Sequence, residues 1–106
     1  MKKYAESTII RGVLEEELER NSRIKIRYMD EIEQLPKGSI LLREIGNQEY
    51  YYLKFRENKK VVSKYIGQKN EVDIKELEEK IKKRKHIEAI LKNLVLEEKE
   101  ILKALR

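Results

Sequence analysis

The residues whose types could do chemistry are cationic and aromatic, and they crowd into one short stretch. Tyr50, Tyr52, Lys54 and Arg56 alternate along residues 48–56, with Arg43, Lys59, Lys60 and Lys64 to either side. Lysine and arginine neutralise phosphates and release counterions, and exposed aromatic rings stack on unpaired bases at roughly 1–3 kcal/mol each. A ribbon of two or three strands offers a second route, into the major groove of a duplex. The same residues also fit a plainer arrangement, in which Tyr50 and Tyr52 pack under a helix and the lysines keep sheet edges from pairing with other chains.

Other chemistry finds little footing. There is no cysteine, which removes disulfides, thiolate ligands and cysteine nucleophiles together and points to a reducing compartment. His86 is the single histidine and sits in the run Lys82-Lys83-Arg84-Lys85-His86, where nothing in the sequence supplies the positioned partner a general base requires. The carboxylates of Glu15-Glu16-Glu17, Glu78-Glu79 and Glu97-Glu98 are sequence neighbours, and neighbours on a helix do not face each other. No His/Asp/Glu set has metal-ligand spacing, and neither Gly46 nor Gly67 belongs to a glycine-rich phosphate loop. The expectation is a binding module with no enzymatic activity, no metal and no cofactor.

Elements must position the tyrosines and cations, and the periodicity changes twice along the chain. Over residues 5–35, Ile10, Leu14, Leu18, Ile24, Tyr28, Ile32 and Leu35 recur at mostly helical steps, with Ser7 or Thr8 as candidate caps. Leu14, Asn21, Tyr28 and Leu35 stand seven apart, so Asn21 falls on the seam, where a lone asparagine fixes register at a cost in stability or else lies partly exposed. Pro36-Lys37-Gly38 ends this pattern. Ser39–Ile45, Gln48–Arg56 and Lys60–Ile66 then read as three strands of an antiparallel meander within residues 39–67, separated by Gly46-Asn47 and Glu57-Asn58-Lys59.

On the second strand, Tyr51, Leu53 and Phe55 share one face, expected against the helices. Tyr50, Tyr52, Lys54 and Arg56 share the other, joined by Arg43 and Lys64 if the register brings them alongside. A second helix is expected over residues 71–105, capped by Asn70 or Asp73, with its apolar stripe displaced midway by Arg84-Lys85-His86. The fold class is therefore α+β: a long helix, a three-stranded meander and a long helix, the helices forming an antiparallel, coiled-coil-like hairpin about 45–50 Å long at about 1.5 Å per residue.

Charge supports the same focus. Residues 36–70 carry eight basic and three acidic side chains, whereas residues 1–35 carry seven and eight, so the excess behind the net charge of +5 lies in the middle third. Clustered positive charge is the footprint of a polyanion binder and is also found on plain solvated surfaces. With 106 residues, 42% charged and 40% hydrophobic, the chain is expected to form a single domain, residues 1–106, with its apolar residues in narrow stripes. No apolar run of secretory length opens the chain and nothing approaches the ~20 apolar residues of a membrane span, so a cytoplasmic protein without membrane contact is expected. The stripe of Ile87, Ile90, Leu91, Leu94, Val95, Ile101 and Leu102 is wider than one seam, which predicts a homo-oligomer.

Three stretches together, Leu35-Pro36-Lys37-Gly38-Ser39-Ile40, Tyr50-Tyr51-Tyr52-Leu53-Lys54-Phe55-Arg56 and Lys60-Val61-Val62-Ser63-Lys64-Tyr65-Ile66-Gly67, resemble a small bacterial and phage-associated family of uncharacterised domains. That family carries a Lys-Gly-Ser, Tyr-Tyr-Tyr-Leu and Lys-Tyr-Ile-Gly signature, and the resemblance covers about a third of the chain. A similar hairpin pattern recurs beside transposases and other mobile-element proteins. The resemblance therefore implies contact with nucleic acid, DNA or RNA, and no catalytic residue. Two rivals remain in other classes: a protein-interaction module, such as a phage-encoded inhibitor of a host defence complex or a small regulatory subunit, and a purely structural coiled-coil assembly protein.

Overall fold

A computed structural model describes residues 2–106, with side chains from Thr8 onward; Met1 and the side chain of Ser7, one of the two expected caps, lie outside the described residues. The order is α1 (Lys2–Glu33), β1 (Ser39–Ile45), β2 (Gln48–Glu57), β3 (Lys60–Gln68) and α2 (Lys75–Leu105), the α+β arrangement read from the periodicity. Helix α1 starts earlier than expected, so Thr8 lies inside it rather than at its N-cap position. No described helix is long and apolar enough to cross a membrane.

The chain divides into two compact units, Met1–Gln34 with His86–Arg106, and Leu35–Lys85. In the first, α1 and the later turns of α2 run antiparallel, since Arg11 Nη1 donates to the Leu105 carbonyl at 2.8 Å while Asn21 Nδ2 donates to the Leu94 carbonyl at 2.8 Å. Lys25 Nζ and Glu98 Oε2 form a part-buried ion pair across the same seam. Ile87 and Leu94 are buried at 2% and 8% exposure, and Leu14, Leu18, Ile24 and Tyr28 are half-buried. Asn21 is buried as deeply, at 3%, and its Oδ1 has no partner among the described residues. A buried acceptor left unpaired costs about 1–3 kcal/mol, set against the Nδ2 bond to Leu94, so of the two expected arrangements the partly exposed one does not hold.

The second unit is the meander with its flanking segments. Strand order is β1-β2-β3, all antiparallel. Chain entry at Gly38 requires glycine: its φ is +117°, and a Cβ there would collide with the Lys54 carbonyl. At the far end Gly67 packs so closely on Val72 that a Cβ would strike that side chain. Asp73 caps α2, its Oδ1 accepting the Lys75 amide at 3.0 Å, as one of the two expected caps. Glu76 and Glu78 follow in the first turn, where carboxylates favour the positive end of the helix dipole.

Candidate nucleic-acid interface

Direct pairing across β2 decides which side chains share a face. Tyr50 lies opposite Arg43 and Gln68, Tyr52 opposite Leu41 and Tyr65, Lys54 opposite Ser39 and Ser63, and Arg56 opposite Val61. Because directly opposed residues of an antiparallel pair project to the same side, one face carries Arg43, Tyr50, Tyr52, Tyr65, Lys54 and Arg56. The other carries Tyr51, Leu53 and Phe55, opposite Leu42, Ile40 and Val62.

The first face contains an aromatic cluster with cations at its margins. The Tyr65 ring stands between Tyr52, 5.6 Å away edge-on, and Tyr50, 6.2 Å away and tilted by 49°. The Arg43 guanidinium lies 5.0 Å from the Tyr52 ring centroid, within cation–π range. Tyr50 and Tyr52 are half-buried by this mutual packing, whereas Tyr65 remains 56% exposed. Beyond the rings, Lys54 and Arg56 are exposed and border a shallow cleft of about 540 Å³ with Ser39, Leu41 and Val61. Rings, hydroxyls and cations on one accessible surface are the components of a single-strand binding platform.

Three of the eight residues expected in this site fall elsewhere. Lys64 pairs with Leu53 and Lys60 with Glu57, which puts both on the opposite face, and Lys59 sits in the turn with φ of +68°. The cause is turn length. A three-residue Glu57-Asn58-Lys59 separator pairs Arg56 with Lys60 and so Tyr52 with Lys64. The observed turn uses only Asn58 and Lys59, both at positive φ, and displaces β3 by one residue. That displacement brings in Tyr65, which the sequence reading missed. A positive-φ pair usually announces itself as Asn-Gly, and the lysine at the second position conceals it here. A bulge opposite Tyr51 and Tyr52 leaves Ile66 unpaired, so Gly67 returns to the Tyr51 side.

These elements define an α+β protein whose small sheet keeps one basic, aromatic face accessible. The chain belongs to the family described as "Domain of unknown function (DUF6788)", whose model matches residues 14–79 and so takes in the meander and the part of α1 before it. None of the curated proteins and none of the solved structures matches the chain.

Proposed function

We propose that this chain is a nucleic-acid-binding module, not an enzyme, and that its contact surface is the sheet face bearing Arg43, Tyr50, Tyr52, Tyr65, Lys54 and Arg56. The observation that carries the reading is the cluster of Tyr50, Tyr65 and Tyr52 on the same face as three cations, with Tyr65 56% exposed. Cross-strand packing accounts for the ring contacts, and the exposed part of Tyr65 is the surface left for a base to stack on. Phosphates would meet Lys54 and Arg56 beside the cleft, and bases would meet the rings.

Salt titration tests this directly. The chain should bind mixed single-stranded DNA or RNA at about 50 mM salt and lose affinity steeply by about 200 mM, and replacing both Lys54 and Arg56 by alanine should reduce the log–log salt slope by about 1.4, two contacts at about 0.7 each on a single strand. Absence of binding at the lower salt, with the protein folded, would overturn the proposal. Self-association belongs to the same reading. Val95 and Leu102, two members of the wide α2 stripe, stay 39% and 48% exposed, which supports an oligomer detectable by sedimentation at tens of micromolar.

A further inference from the structure

The basic run before His86 plays no part in the tyrosine face, and its side chains divide between two tasks. Arg84 Nη1 donates to the Leu35 carbonyl at 2.6 Å and so ties α2 to the segment following α1. Lys82 and Lys85 instead line a groove between α2 and the second face of the sheet. Its floor is aliphatic: Ile81 is 7% exposed, Ile40 and Ile74 are half-buried beside Tyr51, and Leu42 is left 49% exposed. The volume, about 460 Å³, lies within the roughly 300–1,000 Å³ typical of ligand-binding clefts.

We propose that this groove is a docking site for an acidic segment of a partner protein, with aliphatic side chains seated on Ile40, Leu42 and Ile74 and carboxylates paired with Lys82 and Lys85. Charge complementarity selects the occupant. Three residues apart on α2, the two lysines share a helix face, and neither makes an ion pair among the described residues. The lining holds four aliphatic side chains, Ile40, Leu42, Ile74 and Ile81, and a single half-buried ring, Tyr51, so it suits aliphatic anchors better than stacked bases. Glu78, on the same rim, repels phosphate and carboxylate alike, but its oxygens can accept a hydrogen bond from a backbone amide, which a peptide has and a phosphodiester lacks. Apolar anchors framed by complementary charge are the usual grammar of peptide-in-groove recognition, with the charges setting orientation and encounter rate. This site is independent of the nucleic-acid reading, since it uses the other face of the sheet.

The test uses the full chain and a fluorescein-labelled peptide of aspartates and glutamates with two leucines one helical turn apart, followed by fluorescence anisotropy. Saturable binding is expected, weakened about tenfold or more by the double reversal Lys82→Glu, Lys85→Glu and comparably by Leu42→Asp. Alanine at Lys54 and Arg56 should leave it unchanged. Lys82, Lys85 and Leu42 are all exposed, and circular dichroism verifies that these variants fold. Lack of saturable binding by the wild-type chain overturns the proposal, as does equal loss from the Lys54 and Arg56 changes. A dimer seen in sedimentation and dissociated by the Lys82 and Lys85 reversal also overturns it, because the groove would then hold a second copy of this chain.

Discussion

Leu53 and Lys54 are sequence neighbours on one strand, yet the surfaces they belong to have almost nothing in common. Leu53 sits between Ile40 and Lys64 on a face where Phe55 and Tyr51 are also half-buried, and where the Lys37 ammonium lies 6.0 Å from the Phe55 ring centroid. Lys54 sits between two serines, exposed, on the face that carries the tyrosine cluster. Alternation along the strand is enough to put a packing surface and an accessible basic surface back to back. The two proposals rest on this contrast: a nucleic acid on the side of the aromatic rings and cations, and an acidic peptide on the side of the aliphatic groove rimmed by lysines.

The sharpest way to break this contrast is through stability. Leu53→Ala should lower the unfolding free energy by about 2–3 kcal/mol, as large-to-small changes at packed positions do, whereas alanine at Lys54 and Arg56 should change it by less than about 0.5 kcal/mol in denaturant titration. Equal effects from the two sets would mean that both faces are packing surfaces. Tyr65→Ala comes next in size: affinity for single-stranded nucleic acid should fall by about 1–3 kcal/mol for one lost stacking partner, with a smaller effect on folding. If binding were untouched, the aromatic cluster would be no more than a cross-strand packing device.

Smaller effects sharpen the assignment of the lysines. Lys59 is held in the left-handed region, so Lys59→Gly should raise stability by about 0.5–1 kcal/mol and leave nucleic-acid affinity largely as it was. Lys60→Ala and Lys64→Ala should alter binding least among the strand cations, because both side chains belong to the Leu53 face. A loss at Lys64 matching that at Lys54 would place the contact surface at the sheet's edge rather than on one face.

How legible these surfaces were depended on the range of the interactions that set them. The alternation of β2 is local, and it correctly separated Tyr50, Tyr52, Lys54 and Arg56 from Tyr51, Leu53 and Phe55 before any pairing was known. Arg43 was placed correctly because the Gly46-Asn47 turn between β1 and β2 is conspicuous, with Gly46 at φ of +66°. The β2–β3 turn was not conspicuous, and a one-residue error there exchanged Lys64 for Tyr65. In the same way, nothing in the run Lys82-Lys83-Arg84-Lys85 separates the arginine that binds the Leu35 carbonyl from the lysines that line the groove. Those roles depend on what packs against each side of the helix.

By itself the sequence determined the order of elements, the concentration of positive charge in the middle third and the two faces of β2, because periodicity, breakers and side-chain alternation act over a few residues. Tertiary structure decided which face of β3 joins the tyrosines and which part of the basic run meets the sheet. The physical reason is that strand register couples residues far apart in the chain through a single turn, so one residue more or less in that turn reverses every side chain beyond it.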